Sequence, residues 1–145
     1  MSTPDWLEEL LAVSDALAAE DRRSVEFWRD GGPDPEDGGE GADVNDDPPL
    51  TLRLADLGRG FVKHSADLTP QQLQRIGTLL DSVLAAGPPA GDAVATGFLE
   101  AVLSAWDEGF DFESVWQYLG PEAREYCRAW NAFTGVDSPA WLRAG

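Results

Sequence analysis

The chain has 145 residues, with 27 acidic side chains against 10 basic ones and a formal net charge of -17. A surface this negative repels nucleic acid and anionic membrane, because binding either one means neutralising phosphates with Lys and Arg. The length fits one domain, residues 1–145, large enough to bury its own core without a metal or disulfide staple.

The only cysteine, Cys127, rules out an intramolecular disulfide and suits a reducing compartment. Asp5, Glu8 and Glu9 give the opening segment the reverse of a signal peptide's positive charge. No apolar run approaches the ~18 residues of a membrane span. The expected location is therefore the cytoplasm.

The first predicted helix starts at Thr3-Pro4, a cap followed by a proline suited to the first turn. Trp6, Leu10, Val13 and Leu17 recur at helical spacing as far as about Ala19. A continuation to Trp28, with a break near Asp21, is expected. Residues 30–49 follow, and Asp30 to Asp47 hold eight acidic residues and no basic one. Rich in Gly, Pro and Asp, this stretch buries too little apolar surface to offset the entropy of ordering, so it reads as a mobile acidic loop.

Leu50, Leu54, Leu57 and Phe61 predict a helix, although Leu50, Leu52 and Leu54 also alternate like a short strand and Gly58 and Gly60 weaken the helix. Thr69, Pro70 and Gln72 form a capping box, and Leu68 with Leu73 a hydrophobic staple. Leu73, Ile76, Leu80, Val83 and Leu84 are its buried face, and Gly87-Pro88 its end. A helix after Gly91-Asp92 carries Val94, Phe98, Val102 and Trp106 on one stripe. Asp111 is expected to cap a short helix, Phe112 to Leu119, and the last helix runs from Pro121 to Thr134 before Gly135. The tail, residues 136–145, is expected to pack through Val136 and Trp141. These elements predict an all-α bundle of five to six helices, with stacked antiparallel hairpins as an alternative arrangement.

Cys127 raises the question of a reactive thiol. Ala123, Tyr126, Cys127, Trp130 and Phe133 share the spacing of one buried stripe, while Arg124, Glu125 and Arg128 read as solvent-facing. A small hydrophobe between aromatics is where unreactive cysteines sit. The only base available to it is the single histidine, His64, whose own reading is a charge at a helix C-terminus. The acidic loop fails as a calcium site: counted from Asp43, Pro48 stands where Gly belongs and Leu54 where Glu belongs. No phosphate loop, nucleophile elbow, zinc pattern or base-reading motif is present. No catalytic residue, cofactor or metal site is assigned, and nothing points to a small-molecule substrate.

One segment stands out as a surface. From Trp106 to Trp116, Asp107, Glu108, Asp111 and Glu113 interleave with Trp106, Phe110, Phe112 and Trp116. Aromatic anchors ringed by carboxylates suit a basic protein partner, and an ordinary capped turn is the plain alternative.

The runs "DAVATGFLEAVL", "YLGPEAREYCRAW" and "FTG" resemble a family of small, acidic, helical bacterial proteins of unknown biochemistry. The resemblance covers about residues 50–135. Proteins of that kind look like the immunity partners encoded beside secreted polymorphic toxins. It implies an immunity protein, a non-enzymatic binding protein that neutralises a toxin by occlusion; the negative charge points to a basic toxin, and the acidic-aromatic turn supplies the expected contact residues Trp106, Asp107, Glu108, Asp111, Glu113 and Trp116. An accessory or regulatory helical scaffold, a subunit of a larger complex, is the alternative.

Overall fold

In the computed structural model, residues 4–29, 49–135 and 139–144 are described. Thr3, read as a cap, residues 30–48 of the segment read as an acidic loop, and Val136 lie outside them. All regular structure among the described residues is helical, in eight helices rather than five or six when the continuous run 90–107 is counted as one.

The first difference lies at the N-terminus. The expected break near Asp21 falls instead between α1 (Asp5–Ala12) and α2 (Asp15–Arg29). Ser14 causes it: its hydroxyl accepts from the amides of Ala16 at 3.1 Å and Leu17 at 3.4 Å, capping a new helix. Asp21 is buried inside α2 and receives both Nε (3.0 Å) and Nη2 (2.7 Å) of Arg53. This is the bidentate geometry that makes a buried Arg–carboxylate pair tolerable.

Arg53 belongs to α3 (Leu50–His64), which buries Leu54, Leu57 and Phe61. The strand-like alternation has no counterpart, and Leu52 points outward. A short 3-10 turn, Ser65–Asp67, leads to α4 (Pro70–Ala86). Its capping box is present as predicted, with Thr69 Oγ1 accepting from Gln72 N (3.1 Å) and Gln72 Oε1 from Thr69 N (2.9 Å). Gln72 Nε2 also donates to Val13 O at 2.9 Å, tying the start of α4 to the break between α1 and α2. Leu73, Ile76, Leu80 and Val83 are buried, while Leu84 is half-buried.

The next helical run is continuous from 90 to 107: α5 (Ala90–Ala93), a π turn (Val94–Leu99) and α6 (Glu100–Asp107). The π turn lies against α3. A Cβ at Gly97 would stand 2.5 Å from Thr51 O, and one at Gly58 2.7 Å from Phe98 O. Two backbones meet at this crossing, so Gly58 fits because it has no side chain. The helix cost counted against it is offset by the close approach.

The short helix α7 is Glu113–Trp116, narrower than predicted, and it has no side-chain cap. Asp111 contributes its carbonyl instead, which accepts from Ser114 Oγ at 2.7 Å. Helix α8 (Pro121–Thr134) keeps its predicted bounds and ends on Gly135 at φ 78°. Helix α9 (Ala140–Ala144) ends the described chain. One contiguous hydrophobic cluster runs from Leu7 on α1 to Leu142 on α9.

Candidate functional site

The turn between α6 and α7 sorts its residues by chemistry. After Asp107 the chain reverses, with Glu108 N and Phe110 N both donating to Ala105 O, at 3.0 and 2.9 Å. Gly109 supplies the positive φ of 118° that the reversal needs. Phe112 then drops into the core, 1% exposed. Its ring lies 5.2 Å from Trp106, 5.6 Å from Trp116 and 6.0 Å from Trp141, tilted or edge-on in every case. Trp141 closes the set at 5.5 Å from both Trp106 and Trp116, so the predicted packing of the tail through Trp141 is present. Pairs of this geometry add about 0.5–1.5 kcal/mol each beyond the area they bury.

Helix α8 holds this cluster from one side. The guanidinium of Arg124 lies 5.3 Å from the Trp116 ring centroid, and that of Arg128 5.8 Å. Arg124 Nη2 donates to Trp116 O at 3.1 Å and Arg128 Nε to Leu142 O at 3.0 Å. Both side chains are half-buried and join α8 to α7 and α9. Their predicted solvent-facing role is corrected: indole faces attract guanidinium groups, and the long stems cover apolar surface.

The acidic side chains take the opposite direction. Asp107, Glu108, Asp111 and Glu113 are all exposed. None of the four forms an ion pair among the described residues. The tryptophans behave differently from one another. Trp116 is buried at 6% exposure and supports the turn from within, while half-buried Trp106 reaches the surface. The expected pair of aromatic anchors thus narrows to Trp106.

A groove of about 420 Å³ opens beside Trp106. Leu103, Trp106, Asp107 and exposed Ser104 of α6 form one wall; Trp130, Asn131 and Thr134 of α8 form the other. One turn before it the two helices are joined, where Tyr126 Oη donates to Glu100 Oε2 at 2.7 Å. Partial burial, then the Glu100 carboxylate, raises the Tyr126 phenol well above its ordinary value. The predicted stripe on α8 is rotated accordingly. Ala123, Cys127 and Asn131 face the core, Tyr126 and Trp130 flank it, and Phe133 is 85% exposed because the last turn of α8 outruns the core.

Cys127 is fully buried, and burial pushes its thiol up to about 12. His64 Nε2 lies 2.9 Å from Glu20 Oε2, so its main partner is a carboxylate of α2 rather than the end of its own helix. Lys63 Nζ (3.3 Å) and Arg23 Nη2 (2.8 Å) reach the same oxygen. Among the described residues, no group of three or more His, Cys, Asp or Glu side chains could hold a metal ion. No described helix is long and apolar enough to cross a membrane.

Comparison with family models, with curated proteins and with solved structures finds no match to the chain.

Proposed function

We propose that the chain is a non-enzymatic binding protein, an immunity protein or antitoxin that neutralises a basic toxin by occlusion. The observation that carries this reading is the run of four exposed carboxylates, Asp107, Glu108, Asp111 and Glu113, with no ion-pair partner among the described residues. A chain of net charge -17 that leaves these groups uncompensated draws a basic partner toward them and speeds encounter. The aromatic cluster beneath gives the run a rigid base, which lowers the entropy lost on binding. Occlusion needs no chemistry from the chain, and the buried thiol of Cys127 and the carboxylate-bound His64 are consistent with that.

The test is capture from lysate of the native host with tagged protein, washed at low and then at high salt. One basic protein recovered in near-equal amount and released by salt is the expected result. Neutralising the run (Asp107→Asn, Glu108→Gln, Asp111→Asn and Glu113→Gln together) should slow association ~10-fold or more at low salt. A partner whose affinity ignores both salt and these substitutions sinks the electrostatic account. The alternative, a subunit of a larger helical assembly, draws on Phe27 and Phe133, which are 60% and 85% exposed on separate helices. Recovery of a large salt-resistant assembly would favour it.

A further inference from the structure

The seam between α6 and α8 is closed at Glu100 and Tyr126 and open one turn later. The opening has apolar and aromatic walls, Leu103, Trp106 and Trp130, of which the two tryptophans are half-buried. Among its described lining residues Asp107 is the one charged group, and none is Lys or Arg. Glu108 lies next to Asp107, exposed and without an ion pair among the described residues. Phe133, three residues beyond Trp130, adds an exposed apolar ring on α8. The lining is thus mixed, polar at Ser104, Asn131 and Thr134 and apolar at Leu103, Trp106 and Trp130, with Asp107 as its negative charge. That pairing selects an occupant with an apolar body and a cationic end.

We infer that the groove between α6 and α8 is the anchor point for a cationic segment of the partner protein, which inserts an apolar or aromatic side chain between Trp106 and Trp130 and sets a neighbouring Lys or Arg against Asp107. The inference rests on the binding-protein reading above and deepens it. The four carboxylates attract the partner, and the groove supplies the desolvated contact that slows its departure. Hot spots of this kind hold a few buried anchors inside a polar rim.

Tryptamine is a minimal probe of this chemistry, an indole carrying one ammonium. The ¹⁵N-labelled full chain is titrated by NMR with tryptamine, with neutral N-acetyltryptophanamide and with anionic indole-3-propionate. Saturable shifts are expected at Ser104, Asp107, Asn131, Thr134 and the indole N–H of Trp130. Tryptamine should bind ~3-fold or more tightly than the neutral compound, and the anion more weakly still. Asp107→Asn should erase the charge ranking while keeping the neutral compound's affinity. Ser104→Arg, at an exposed position on the rim, should abolish binding of all three with shifts elsewhere unchanged. Shifts that do not saturate, that map away from the groove, or a ranking that survives Asp107→Asn overturn the proposal.

The capture experiment separates this failure from that of the broader reading. A basic partner held equally well by the wild type and by Ser104→Arg overturns the groove and leaves the toxin-inhibitor reading standing. Saturable, charge-ranked tryptamine binding with no basic partner recovered at any salt does the reverse.

Discussion

Asp81 of α4 caps a helix that begins forty residues later: its Oδ1 accepts from the amide of Glu122 at 2.7 Å and from that of Ala123 at 3.1 Å. Helix α8 has no side-chain cap of its own, since Gly120 stands at its N-cap position. Gly120 leaves room for this contact, because a Cβ there would displace the Asp81 carboxylate. The carboxylate both satisfies free amides and faces the positive end of the helix dipole. Asp81→Ala should cost about 1–2 kcal/mol in urea unfolding, and Asp81→Asn less. Equal stability of wild type and Asp81→Ala would show that water replaces the cap without loss.

The Asp21–Arg53 pair carries a larger effect. Both side chains are 8% exposed, so removing one partner strands a buried charge. Arg53→Met alone should destabilise by about 3–5 kcal/mol. The double variant Asp21→Leu with Arg53→Met should recover most of that loss. A double-mutant cycle by chemical denaturation reads the difference directly.

Glu20 makes the acid limb of stability testable. Its hydrogen bond with His64 is the largest influence and holds the carboxyl below its ordinary value; partial burial opposes this, and Lys63 and Arg23 add to it. A depressed folded-state value means stability that is present above the unfolded value and lost as pH falls through the folded one. Unfolding free energy should therefore drop as pH goes below about 4.5, with part of the slope absent in Glu20→Gln. Identical slopes in the two proteins would remove Glu20 from the account.

Cys127 should be inert in the folded protein. With the thiol pushed up to about 12, only ~10⁻⁴ of it is thiolate at pH 8, and the sulfur is fully buried besides. Iodoacetamide should label it at the rate of unfolding and at full speed in urea. Fast native labelling would reopen the question of a reactive thiol.

Where a signal was local, the chain could be read in advance. The Thr69–Gln72 capping box and the Pro121-to-Gly135 limits of α8 each depend on residues a turn apart, and both stand as predicted. The features that escaped prediction join distant residues. Ser14 displaced the expected break because its capping hydroxyl sits inside an otherwise unbroken apolar period. Asp21 meets Arg53 across 32 positions, and Glu122 meets Asp81 across 41. Arg124 and Arg128 looked like a solvated face because periodicity carries no knowledge of Trp116. The acidic turn was legible as composition, but its division into outward acids and inward rings was not. The groove was invisible for the same reason, since it arises from how far α6 and α8 stand apart beyond Glu100 and Tyr126.

The aromatic cluster also has an optical consequence. Trp106 and Trp116 each lie 5.5 Å from Trp141, close enough for the excited states of neighbouring indoles to couple. Coupled indoles at fixed tilt produce a paired circular dichroism signal that isolated tryptophans lack. Trp106 belongs both to this array and to the wall of the groove. An occupant that turns its ring by a few degrees would change the signal's shape, so the protein carries a built-in, label-free reporter of its own occupancy.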